Sequence, residues 1–456
     1  MSDRKRIWGW YFFDWASQPY HTLLMTFIYG PFFATVAAAY FLSLGLDDTA
    51  AKANAQAYWS WCLTITGLCI GLGAPIMGAI ADTAGKRRPW IYFFSLLYVV
   101  GAFALWFTDP NGSNMWLMLV MFGIGFIGAE YALIFTNAQL PSLGTKEEVG
   151  KISGSGFAFG YAGGLISLVI TLALLVEQPN GKTLIGLDPI FGLNPDAKEG
   201  TRFIGPFTAV WFAIFMVPYF AWVKEPHRVA AKMNIKAGLS SLKTSILNLK
   251  HRKSLSAYLV SSMFYRDALN GLYGFGGVYA SLVLDWTIVQ VGTFGIIAAL
   301  SAAILSWVGG KFDKRLGPKP VIIFTVWMLI GVCFTVVNMS REALFWVDLP
   351  EGSQVPDITF MICGVLIGGM GGILQSASRS LMVRHSITGR STESFGLYGL
   401  SGRATAFMAP ALIGIVTTWT QSARIGVTPL IGLFLIGLLL LAWVNPKGDA
   451  DEWDER

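Results

Sequence analysis

Apolar runs long enough to cross a bilayer follow one another along almost the whole chain, and this succession constrains the fold more than any motif does. A spanning helix needs roughly 20 mostly apolar residues. Twelve segments fit that pattern: 7–40, 55–82, 90–107, 114–140, 150–177, 204–223, 254–284, 288–310, 319–338, 357–385, 392–418 and 424–444. The first, second, fifth, seventh and tenth exceed the minimum and should tilt or project. Of the 456 residues, 54% are hydrophobic and 13% charged, whereas a soluble domain carries about 25% charged residues. No soluble core could hide so much apolar surface, so an all-α polytopic membrane protein is expected. The start, "MSDRKRIWGWYFFDW", has the positive-then-apolar form of a secretory leader. Its run is too long and contains Asp14, so the first segment reads as a retained span.

The loops orient the segments, because Lys and Arg collect on the cytoplasmic side. Alternate loops, both termini included, hold 24 of the 33 basic residues. The opposite set holds six, and Arg266, Arg379 and Arg403 fall inside segments. Both termini are therefore expected in the cytoplasm, in a cytoplasmic (inner) membrane. The net charge of +6 arises in these short loops. It forms no continuous patch, which excludes nucleic acid as a partner and makes anionic lipids at the cytoplasmic loops the expected one. Cys62, Cys69, Cys333 and Cys363 lie in apolar runs without zinc spacing and read as small buried residues. No metal or cofactor is expected, and no oligomer is required. Walker-loop, nucleophile-elbow and zinc motifs are absent from the sequence, so it reads neither as an ATP-driven pump nor as an enzyme.

The connection 224–253 is the longest between segments; its basic residues interleave with Ile, Leu and Met, the pattern of an amphipathic surface helix. It divides the chain into a bundle of six spans, 1–223, a linker, 224–253, and a second six-span bundle, 254–456. The bundles echo each other. "GAIADTAGKRRPW" follows the second segment and "GGKFDKRLGPKP" the eighth, with Gly78 leading Asp82 by four and Gly309 leading Asp313 by four. "SGSGFAFGYAGG" in the fifth segment matches "STESFGLYGLSGR" in the eleventh. Two pseudo-symmetric bundles of this kind are how rocking transporters are built, with the solute site at the midplane.

The first of these stretches resembles the loop signature of the major facilitator superfamily. Within it the chain resembles the vacuole-effluxer family over most of its length. The resemblance rests on "WYFFDWASQPYHT", "TNAQLPSL", "SGSGFAFGYAGG", "YRDALN" and "SRSLMVRHSITGRSTESFGLYGLSGRATAFMAP". It departs at Arg266, where relatives often carry Asn. The resemblance implies the twelve-helix major facilitator fold. It also implies a gating latch in which Asp82 meets the start of the eleventh segment near Glu393. Gly78, Gly85, Lys86, Arg87, Arg88, Gly309, Asp313, Arg315 and Arg379 complete that latch. Gly78 would let two spans approach closely, and the basic residues would hold the loop at the headgroups.

Charges inside segments carry the functional reading, since each costs about 2.5–3.5 kcal/mol at the bilayer centre unless a wet cavity or a partner compensates it. Glu130, Asp267 and Asp14 balance Arg266, Arg379 and Arg403. Glu130, Asp267 and Asp14 are the proton-coupling candidates. Arg266, Asn270 and Tyr273 fall on one helix face and, with Arg403, Tyr20 and Asn137, are the substrate-binding candidates. His21 could join a proton path. Gly156, Gly160 and Gly164, like Gly364, Gly368 and Gly372, recur every four residues and make smooth helix faces. The expectation is a secondary active, proton-coupled transporter working by rocker-switch alternating access on a small polar or zwitterionic solute such as an amino acid. Two alternatives stay open: an exporter of an amphiphilic, lipid-like or drug molecule, and a non-transporting receptor or assembly factor on a transporter fold.

Overall fold

The structure is a computed structural model describing residues 3–83, 87–137, 139, 142–144, 146–224, 240, 243–244, 247, 249–385 and 391–448. It is built from α1 (Asp3–Pro19), a π-helical stretch (Tyr20–Phe27), α2 (Tyr29–Ser43), α3 (Asp48–Thr83), α4 (Arg88–Ala104), α5 (Met115–Asn137), α6 (Lys146–Leu174), α7 (Glu199–Arg202) and α8 (Ile204–Trp222). After the linker come α9 (Lys253–Val283), α10 (Ile288–Leu316), α11 (Pro318–Val337), a two-stranded hairpin of β1 (Ala343–Leu344) and β2 (Val347–Asp348), α12 (Val355–His385), α13 (Ser391–Ala404), α14 (Met408–Thr420), α15 (Ala423–Gly426) and α16 (Pro429–Leu441). Ten helical stretches of the described residues are long and apolar enough to cross a membrane. Most of the expected linker helix, with Gly85 and Lys86 of the latch, lies outside the described residues.

Proline placement shapes the two irregular crossings. Pro19 has no N–H, so the carbonyl of Trp15 loses its intrahelical partner. The indole of Trp211, on α8, donates to that carbonyl at 3.2 Å. Pro31, near the start of α2, withholds a donor on the other side. Between these prolines the ladder widens to the π pattern, as in the Ile28 N–H bond to the Leu23 carbonyl at 3.0 Å. Pro410 acts likewise: without its N–H the helix stops at Ala404 and resumes at Met408. The eleventh expected segment is therefore two helices, α13 and α14, rather than one.

The chain forms two compact units. The first comprises Met1–Tyr40, Cys69–Lys243 and Thr287–Gly292. Within it α1 packs on α6 and α8, and α4 on α5 and α8. A Cβ at Gly101 of α4 would lie 2.5 Å from the backbone nitrogen of Gly125 on α5, so these helices touch backbone to backbone. The glycine face of α6 lies along α1, with Gly156 and Gly160 against Asp14.

The second unit comprises Phe41–Leu68, Thr244–Trp286 and Thr293–Arg456, so the first half of α3 belongs to it. There Gln56 donates to the Thr417 hydroxyl at 2.8 Å and the Ala423 carbonyl at 2.9 Å. Lys52 joins Asp285 at 2.9 Å and Asp48 at 3.1 Å. α9 lies along α16, and α11 packs on α12. The glycine face of α12 seats α10: a Cβ at Gly368 would lie 2.1 Å from the Ala298 carbonyl.

One expectation needs correction. Cys62, Cys333 and Cys363 are buried but Cys69 is exposed, because an outward helix face in a membrane is apolar too and apolarity there does not mean burial. At Gly78 an added Cβ meets nothing within 4 Å among the described residues. This helix comes close to α5 at Gly73, where an added Cβ would meet the Tyr131 hydroxyl at 1.9 Å.

Candidate functional site

In the first unit the π-helical stretch carries the chemistry. It turns His21 towards α5, where Nε2 lies 3.4 Å from Glu130 Oε1, with the two side chains 32% and 15% exposed. The His21 ring also meets Phe126 edge-on at 5.4 Å. The pair is thus a base and an acid, both reachable, on an apolar helix bundle. Asp14 is half-buried one step towards the chain start, against α6. Tyr20 is fully buried and its hydroxyl donates to the Phe122 carbonyl at 2.6 Å. It therefore packs the bundle, tying the π-helical stretch to α5. Asn137 is exposed at the last residue of α5.

In the second unit the break between α13 and α14 is the centre. Arg266 and Asp267, both on α9, hold its two sides. Arg266 Nη1 donates to the Tyr398 carbonyl of α13 at 2.9 Å, and the guanidinium lies over the Tyr398 ring at 4.0 Å. Asp267 Oδ2 accepts the Ala409 N–H at 2.7 Å. That N–H is one of the orphan donors of a new helix start, and the carboxylate also meets the positive end of α14. Asp267 is 2% exposed, and among the described residues its Oδ1 has no hydrogen-bond partner. The break is seated on α3: a Cβ at Gly67 would lie 2.9 Å from the Phe407 nitrogen. Gly402 leaves room for Arg266, since a Cβ there would be 2.5 Å from Nη2. Tyr258 stacks on Tyr398 at 6.1 Å, and Tyr265 shares a 2.9 Å hydrogen bond with Ser378.

Arg266 and Tyr273 are half-buried and Asn270 exposed, leaving a partly accessible stripe on α9. Arg403 is half-buried at the end of α13. Of the latch residues, Arg88 donates to the Phe220 carbonyl and ties α4 to α8. Arg87 sits at the N-cap of α4. Gly309 packs on Ile373 of α12, with an added Cβ at 2.6 Å. Asp313 and Arg379 are half-buried and Arg315 exposed. The side chains of Asp82 and Glu393, on α3 and α13, lie outside the described set. Gly67, Tyr398 and Gly402 were not singled out by sequence reasoning. No local signal marks them: each is distinguished only by the group that packs against it.

Comparison with solved structures defines the class. The chain matches a D-xylose–proton symporter with a TM-score of 0.65 over 98% of each chain at 14% identity, a likeness of fold alone. With its ten apolar helices, this is a multi-pass membrane protein on a transporter fold. The chain belongs to the family described as "Vacuole effluxer Atg22 like", which matches residues 2–452. It is similar to an uncharacterised MFS-type transporter, YxiO, of Bacillus subtilis, 24% identical over 97% of this chain and 95% of that one. It is also similar to autophagy-related protein 22 of Cryptococcus neoformans, 22% identical over 67% of this chain and 52% of the relative. The matched region thus spans about half the length of that fungal protein.

Proposed function

We propose that the chain is a secondary transporter that moves a small polar or zwitterionic solute, such as an amino acid, coupled to protons. It works by rocker-switch alternating access in the cytoplasmic membrane, with both termini in the cytoplasm. α6 and α9 supply the eleventh and twelfth crossings; α9 carries Arg266, Asp267 and Asn270 at its centre, which lowers its apolarity. The observation that carries the reading is the position of the ionisable side chains. Four of them gather at the two places where a crossing departs from the α-helix: His21 with Glu130 at the π-helical stretch, Arg266 with Asp267 at the break. Interrupted helices with charges attached are where transporters of this construction bind solute and ions. Glu130 and Asp267 are assigned to carry the proton, and Arg266 to meet a solute carboxylate. A charge moved across the membrane is worth about 2.3 kcal/mol per 100 mV, enough to bias a cycle.

The test is reconstitution of the full chain in liposomes holding a pH-sensitive dye, with amino acids presented singly under an imposed pH gradient. At least one should move protons with it, and Glu130→Gln and Asp267→Asn should each abolish that movement while melting within a few degrees of the parent. Solute uptake indifferent to the gradient removes the proton from the mechanism. Movement of amphiphiles alone replaces the polar solute by the lipid-like one.

A further inference from the structure

A groove at the start of α1 carries a second, separate inference. It encloses about 350 Å³ and is lined by Arg4, Lys5, Trp8, Phe12 and Trp222. Arg4, Lys5, Trp8 and Phe12 stand at i, i+1, i+4 and i+8 of α1, so they share one helix face. The face runs from cation to aromatic over about 12 Å. Its floor is built: Phe12 meets Trp222 edge-on at 6.1 Å and stacks on Phe215 at 6.3 Å, and Trp8 meets Phe159 at 5.6 Å. Trp8 nevertheless stays 41% exposed. The two cations are exposed as well. Their neighbour Arg6 donates to the Ser142 carbonyl, whereas no ion pair or hydrogen bond engages Arg4 or Lys5 among the described residues.

We infer that this groove binds one anionic glycerophospholipid. Its phosphate sits at Arg4 and Lys5, and the upper part of an acyl chain lies on Trp8, Phe12 and Trp222. The order of groups is that of an amphiphile: uncompensated positive charge at the end of the helix, indole rings at headgroup level, then a ring deeper in the hydrocarbon. A free phosphate would leave the aromatic floor bare, and a zwitterionic lipid would leave the charge uncompensated. The inference needs only that this end of α1 lies in a headgroup layer, and it stands whatever solute is carried.

The test is native mass spectrometry of the full chain in a neutral detergent, titrated with phosphatidylglycerol or with phosphatidylcholine of the same chains. The parent should retain one phosphatidylglycerol with about tenfold preference. The double variant Arg4→Gln, Lys5→Gln should lose the preference. A charge-matched control, Lys250→Gln with Lys253→Gln, should keep it. Trp8→Ala should weaken retention of both lipids, and inorganic phosphate should not displace the bound one. Equal retention of the two lipids by the parent overturns the inference. So does an equal loss in the control, an unchanged double variant, or displacement by phosphate.

Discussion

Arg266 and Asp267 are adjacent in sequence, yet they hold opposite sides of one helix break. The arginine binds the Tyr398 carbonyl before it at 2.9 Å, and the aspartate binds the Ala409 N–H after it at 2.7 Å. Successive residues on a helix point about 100° apart, which is why the two cannot pair with each other and can reach two ends of a neighbour. Opposite charges in an apolar helix are tolerated here because each meets a backbone group of the right polarity.

Asp267→Ala should leave the Ala409 N–H buried and unsatisfied, at a cost of about 1–3 kcal/mol. Asp267→Asn keeps an acceptor of the same shape and should lose less. Thermal unfolding in detergent of the two variants reads the difference. Equal melting of parent and Asp267→Ala would show that the carboxylate does not hold the helix start.

Gly402→Val should push the guanidinium of Arg266 off Tyr398, costing about 1–3 kcal/mol by overpacking. Combined with Arg266→Ala, the same substitution should cost much less, since the group it strikes is gone. A strictly additive double-mutant cycle would refute the contact.

Gly73→Ala and Gly78→Ala lie close together on α3 and should behave oppositely. The first displaces a Tyr131 hydroxyl that donates to the Cys69 carbonyl at 2.5 Å, so about 0.5–1.5 kcal/mol should be lost with that bond, and Tyr131→Phe should recover part of it. The second enters open space among the described residues and should gain about 0.5–1 kcal/mol of helix propensity.

Pro31→Ala supplies a helix donor where the π-helical stretch ends. The protein should melt no lower, since a first-turn proline is only tolerated in a helix and alanine is the better helix former, while solute-driven proton movement should fall as His21 turns from Glu130. Unchanged transport would detach the irregular geometry from function.

Glu177 lies beyond the last turn of α6, buried against Thr201, whose hydroxyl donates to it at 2.8 Å. Burial raises its carboxyl above the ordinary value despite that bond. An acid raised in the folded state contributes stability that is complete below its unfolded value and is lost as the pH rises through the folded one. The melting temperature of the parent relative to Glu177→Gln should therefore be highest near pH 4 and decline towards neutrality. A difference that grows with pH would reverse the assignment.

Much of the frame is legible in the residues themselves. A bilayer forces every backbone group to be satisfied within its own helix, so runs of apolar residues can be counted and placed. The opening charges of "YRDALN" announce a functional stretch for the same reason, being expensive where they stand. His21 was less legible, because an isolated histidine carries no periodic signal and its meaning depends on Glu130 facing it. Gly67 and Gly402 were invisible among 51 glycines, since only the neighbour at close range distinguishes one small residue from another.

By itself, then, the sequence determined the membrane class and the succession of apolar helices. These follow from local rules of hydrogen bonding and solvent. Only the tertiary structure decided that Asp267 caps a helix 142 residues away, that Arg266 rests in the space Gly402 leaves, and that His21 meets Glu130. Periodicity gives the direction of a side chain, but its partner is set by which helix packs alongside.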